Sequence, residues 1–99
     1  MKKNIDKNTK QKIIALVCAL IPNAKIYLFG SRARSTHSQW SDIDLALDTG
    51  EKISIVTVGE IIDVLAGTDI PYKIEVVDLN NIPEKMRTQI LEEGILWKQ

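Results

Sequence analysis

Between Asp6 and Leu20, apolar residues recur at three- and four-residue spacing. Ile13, Leu16, Val17, Leu20 and Ile21 fall on one side of a predicted helix, which Pro22-Asn23 stops. The period then changes. Lys25 to Phe29 (KIYLF) is a short β-branched and aromatic run that ends abruptly at Gly30, the signature of a strand. Ser31 to about Thr36 predicts a short helix and His37 to Ser41 a polar loop. Ile43 to Leu47 predicts a second strand. In the alternating stretch Asp42 to Leu47, Asp42, Asp44 and Ala46 share one face, and Ile43, Leu45 and Leu47 share the other. Asp48-Thr49-Gly50 is turn chemistry.

From about Ile53 to Ala66, Ile55, Val58, Ile61, Ile62 and Leu65 fit a second amphipathic helix, with Gly67 placed to be its left-handed C-terminal residue. Lys73 to Leu79 (KIEVVDL) predicts a third strand. Pro83 suits the first turn of a last helix, with Met86, Ile90 and Leu91 inward and Gly94 closing it, and Ile95-Leu96-Trp97 packs back as a tail. Alternating helices and strands predict a small α/β (α+β) domain, a mixed sheet of three to four strands covered by helices. No internal repeat, low-complexity tract or linker divides residues 1–99, so one domain is expected.

Length and composition narrow the picture. Ninety-nine residues at 44% hydrophobic content suit a single core. Thirteen basic residues balance thirteen acidic ones, which argues against a broadly electropositive nucleic-acid binder and makes any anion site local. The longest apolar run, Ile13 to Ile21, has nine residues, too few to cross a membrane, and no signal peptide is read behind the N-terminal lysines. The only cysteine, Cys18, lies in that run. A core role and a reducing cytoplasm are expected.

The aspartates are the anomaly, because strands avoid Asp. Two carboxylates on one strand face sit about 6 to 7 Å apart at Cα, and their oxygens can converge to about 4 Å, where repulsion is about 4 kcal/mol at an effective dielectric of 20. One carboxyl can hold a proton, or cations can sit between them, and Mg²⁺ favours carboxylates together with substrate phosphates. A phosphate cradle is at hand. Gly30-Ser31 at a strand end lets the backbone approach a ligand and points N–H groups at it, the Ser31 hydroxyl adds a donor, and Arg32 and Arg34 supply positive charge.

Gly30-Ser31, ten intervening residues and Asp42-Ile43-Asp44 resemble the G-S-x10-D-x-D signature of the DNA polymerase beta-like nucleotidyltransferase superfamily. "FGSRAR" and "SDIDLAL", with the closing EGILW, look most like its minimal nucleotidyltransferases, and the likeness covers almost the whole chain. It implies that Gly30 and Ser31 hold the terminal phosphates of a nucleoside triphosphate, with Arg32 and Arg34 beside them. It further implies that Asp42, Asp44 and a third carboxylate on a later strand bind two Mg²⁺ ions, and that the third carboxylate serves the attacking hydroxyl.

Glu75 takes the third position by the family pattern, although the family more often has Asp there. Asp78, of opposite parity, is the alternative, with a turn-capping role of its own. Of the remaining chemistry-bearing residues, His37 reads as a solvated side chain. Trp40 reads as a base-stacking or packing ring, and Lys73 as a surface charge. Tyr27 and Tyr72 read as structural, or as self-modification acceptors if exposed.

The resemblance implies transfer of AMP from ATP to a hydroxyl acceptor, a tyrosine on a helical HEPN-type toxin, with this chain as antitoxin. Direct nucleic-acid binding and membrane association are not expected, and a homo-oligomer is compatible with the sequence. The rival reading is a non-catalytic module of the same fold that neutralises its partner by binding alone.

Overall fold

The structure is a computed structural model that describes residues 5–34 and 42–99. The predicted loop His37 to Ser41, with His37 and Trp40, and the predicted helix end at Thr36 lie outside these residues.

Asp6 caps the first helix, α1 (Lys7–Leu20), by accepting the Thr9 N–H at 2.8 Å. β1 (Lys25–Phe29) follows, then a 3-10 turn, Gly30–Arg32, at the start of the predicted short helix. β2 (Ile43–Asp48), α2 (Ile55–Ala66), β3 (Ile74–Asp78), a 3-10 turn at Leu79–Asn81, α3 (Glu84–Glu93) and β4 (Ile95–Lys98) complete the order. The sheet runs β3-β2-β1-β4, antiparallel at β1–β2 and β1–β4 and parallel at β2–β3. The expected mixed sheet therefore has four strands, and the predicted tail is its fourth. Four residues are too few for a period to show, but they pair with β1, and Lys98 Nζ anchors their end by donating to the Pro22 and Ala24 carbonyls at 3.1 Å each.

The sheet has two unequal faces. Ile26, Leu28, Ile43, Leu45 and Leu47 lie under Ile13 and Val17 of α1 and Ile61 and Leu65 of α2, all buried. Each such side chain contributes about 1.5–3 kcal/mol by leaving water. On the other face, Ala46 with Tyr27, Phe29 and Val77 meets Ile90 and Met86 of α3 and Leu79. Asp44, half-buried, and Glu75, exposed, lie on this same face.

Several expected inward positions differ. Leu20, Ile55, Ile62 and Leu91 are exposed, Ile55 to 82%, and Cys18 is half-buried rather than buried. α2 begins only after its cap Ser54, so Ile55 falls in the first turn, beyond the packed stripe. Gly67 is not left-handed (φ −80°, ψ 0°). The Thr68 hydroxyl closes the helix instead, donating to the Leu65 carbonyl at 2.7 Å. Pro83 stands one position before α3, as its N-cap.

Candidate active site

Phe29 at the end of β1 is the Cα partner of Asp44 on β2, and Asp44 is the Cα partner of Glu75 on β3. Paired residues project to the same side of a sheet, so the three form one row across three strands, about 5 Å apart from strand to strand. Asp42, just before β2, shares the parity of Asp44. The second strand's acidic face thus meets the third strand's acid without any bend in the chain.

Asp44 feels this crowding. Burial first, then its hydrogen bond with Glu75 and the like charges of Glu75 and Asp42, push its carboxyl up to about 6, with Arg34 pulling the other way. A proton held on Asp44 relieves the repulsion in the metal-free chain.

Gly30 has φ +77°, and a Cβ built on it would collide with Oδ2 of Asp44. Glycine is required there twice over, once for the left-handed backbone and once for the close approach. The turn it starts contains Ser31, and the Arg34 N–H closes it on the Gly30 carbonyl at 3.2 Å.

The two arginines part company. Arg34 is half-exposed, reaches Asp44 electrostatically and forms a 3.6 Å ion pair with Glu93 at the end of α3. Arg32 is 1% exposed, with its guanidinium 4.6 Å from the centre of the Tyr72 ring. That is a cation–π contact inside the fold, where the sequence predicted a side chain open to a nucleotide. Arg32 ends the 3-10 turn and Arg34 lies two residues beyond it, on the exposed side.

Asp78 is the Cα partner of Leu47 and so lies on the opposite side of the sheet from Glu75. It is 7% exposed and accepts the backbone N–H groups of Ile53 at 2.6 Å and Asn80 at 3.0 Å, which is the turn-capping role read from sequence. Lys73 pairs with Glu75 at 3.4 Å, well exposed on both sides and screened by solvent.

Among the described residues no three His, Cys, Asp or Glu side chains are drawn into a finished metal cluster. Asp42, Asp44 and Glu75 nonetheless fit Mg²⁺ in kind. They are hard oxygen donors on one face, and the raised Asp44 carboxyl marks the crowding of negative charge that a cation would relieve. Sequence reasoning overlooked Met86, Gln89 and Glu93 of α3 as neighbours of this corner. Their periodicity speaks only of burial, and their proximity to Gly30 and Arg34 depends on how α3 lies over the sheet.

A mixed sheet with a Gly-Ser turn closing one strand and carboxylates in register on the next two defines a nucleotidyltransferase-type domain. The chain belongs to the family described as "Polymerase beta, Nucleotidyltransferase", whose pattern matches residues 11–98. It is 25% identical over 68 residues to the "Probable protein adenylyltransferase MntA" of Haemophilus influenzae (strain ATCC 51907 / DSM 11121 / KW20 / Rd), a match covering 69% of this chain and 60% of that protein. Among solved structures it resembles a toxin-antitoxin complex with AMP-PNP (TM-score 0.76, 29% identity, 89% of this chain and 71% of that one). It also resembles the complex of a tri-AMPylated Shewanella oneidensis HEPN toxin with its MNT antitoxin (TM-score 0.70, 27% identity, 89% and 67%). Among the described residues no helix is long and apolar enough to cross a membrane.

Proposed function

We propose that this chain is a minimal nucleotidyltransferase that moves AMP from ATP to a hydroxyl group on a helical HEPN-type partner and thereby acts as its antitoxin. The observation that carries this reading is the row Phe29–Asp44–Glu75 with Gly30 pressed against Asp44, because it sets a phosphate-accepting turn directly beside paired carboxylates. The complexes with AMP-PNP and with an AMPylated HEPN toxin support the choice of nucleotide and partner.

In this reading the Gly30–Arg32 turn and the Arg34 guanidinium bind the β- and γ-phosphates. Asp42, Asp44 and Glu75 would hold Mg²⁺, which supplies charge neutralisation of the triphosphate and a lowered pKa for the acceptor hydroxyl. Glu75, on the edge strand and farthest of the row from the Gly-Ser turn, orients that hydroxyl and accepts its proton. The acceptor oxygen bonds to the α-phosphorus, the bond from that phosphorus to the bridging oxygen breaks, and pyrophosphate leaves. A bulky anion on the toxin then blocks its substrate by shape and charge.

Incubating the chain with ATP, Mg²⁺ and a purified HEPN-type partner, followed by intact mass measurement, tests the proposal. Addition of AMP units to the partner is expected. ATP consumed on a small-molecule or nucleic-acid acceptor, with the partner unmodified, would overturn it.

A further inference from the structure

Two charged side chains are buried among the described residues, and Asp78 is accounted for by the backbone N–H groups it caps. Arg32, at 1% exposure, is the other. A guanidinium taken out of water is costly and persists only where specific contacts hold it. Arg32 follows Ser31 directly, at the end of the turn that Gly30 begins, and its guanidinium lies 4.6 Å from the centre of the Tyr72 ring.

Tyr72 is placed so that this contact reaches the whole carboxylate row. The next residue, Lys73, accepts the Ile43 N–H on its carbonyl at 2.9 Å, and Ile43 is flanked by Asp42 and Asp44. Glu75 is three residues beyond Tyr72, on β3 and in register with Asp44. The Tyr72 ring packs against the core under α1 and α2, whereas Asp44 and Glu75 lie on the opposite face of the sheet. The contact therefore acts on the site through the backbone of the turn and of β3.

We propose that Arg32 is a positioning residue: stacked on Tyr72, it fixes the Gly30-Ser31 turn relative to the strands that carry Asp42, Asp44 and Glu75, so that a bound triphosphate presents its α-phosphorus to the row. The inference rests on the nucleotide-transfer reading above. At its start the turn is held by the tight approach of Gly30 to Asp44. Arg32 supplies a second anchor at its end, and two anchors set the angle of a turn where one lets it pivot. In-line transfer is sensitive to that angle, because a misplacement of about 1 Å can cost about 100-fold in rate.

The test compares wild type with Tyr72→Phe, Tyr72→Leu and Arg32→Lys in AMP transfer to the HEPN-type partner. Calorimetric titration with inorganic tripolyphosphate and circular dichroism melts accompany it on the same chains. Tyr72→Phe keeps the ring and is expected to keep the wild-type kcat. Tyr72→Leu keeps apolar bulk without the ring face, and should lower kcat about tenfold or more while the KM for ATP and the tripolyphosphate affinity stay within about threefold. Arg32→Lys keeps the charge but not the flat stack, and should lower kcat severalfold with the same affinities retained. Unchanged kcat in folded Tyr72→Leu or Arg32→Lys overturns the inference, as does a Tyr72→Phe variant as slow as Tyr72→Leu. Tripolyphosphate affinity lost in step with kcat in Arg32→Lys also overturns it, because the guanidinium would then be a direct phosphate ligand. A wild-type chain that transfers no AMP and binds no ATP removes the nucleotide-transfer reading, and this inference with it.

Discussion

Asp44 and Glu75 are Cα partners across the parallel pair of β2 and β3, and burial together with the neighbouring Glu75 carboxylate raises the Asp44 carboxyl. Their proximity costs stability unless a proton or a cation stands between them.

A pH dependence follows. The Asp44 carboxyl, pushed up to about 6 from 3.8, holds its proton more tightly in the folded chain than in the unfolded one. The stability it contributes is therefore complete below about pH 4 and is lost as pH rises through about 6. Asp44→Asn keeps a donor for Glu75 and removes the charge. In EDTA at pH 7 it should stabilise the chain by about 1 kcal/mol after allowance for solvent screening, or several degrees in Tm. The gain should vanish at pH 4, and an equal or lower Tm than wild type at pH 7 would refute the account of this pair.

Gly30→Ala should destabilise by about 2–3 kcal/mol in denaturant melts, combining the left-handed backbone with the collision against Asp44. Adding Asp44→Ala should recover part of that loss and leave the backbone contribution. Strictly additive effects in the double variant would mean that the two residues do not touch.

Glu75 and Asp78 should separate cleanly. Asp78→Ala strands the Ile53 and Asn80 N–H groups and is expected to cost about 1–3 kcal/mol, while the rise in Tm on adding Mg²⁺ persists. Glu75→Ala should do the reverse, with little stability lost in EDTA and the Mg²⁺-induced rise gone. Exchanged outcomes would reverse the assignment.

Much of this was legible in the sequence, for identifiable reasons. β1 announces itself by its apolar and aromatic run, β2 by strict alternation, and α1 by its three- and four-residue spacing. The aspartates stood out because Asp in a strand violates local preference, and Gly-Ser, ordinary turn chemistry by itself, drew notice only in combination with them. The pairing of Asp44 with Glu75 was not legible from periodicity. It depends on the parallel register of strands thirty-one residues apart, and only the family pattern pointed to it. Nor was the burial of Arg32 legible, because Tyr72, its ring partner, is forty residues away in the chain.

The arginines supply a fourth prediction. Arg32→Ala removes a buried cation–π contact and should lower stability by about 2–4 kcal/mol. Arg34→Ala, with only a half-exposed ion pair to lose, should change stability by less than about 1 kcal/mol and yet weaken ATP binding about tenfold or more.

The central claim is that the carboxylate row performs the transfer. The most direct measurement is the rate of AMP transfer to the HEPN-type partner at saturating ATP and Mg²⁺ for wild type, Asp44→Asn and Glu75→Gln, with melts showing each variant folded. Both variants should lose at least about 100-fold in turnover while Asp44→Asn melts higher than wild type in EDTA. Near-normal turnover in either folded variant would contradict the account.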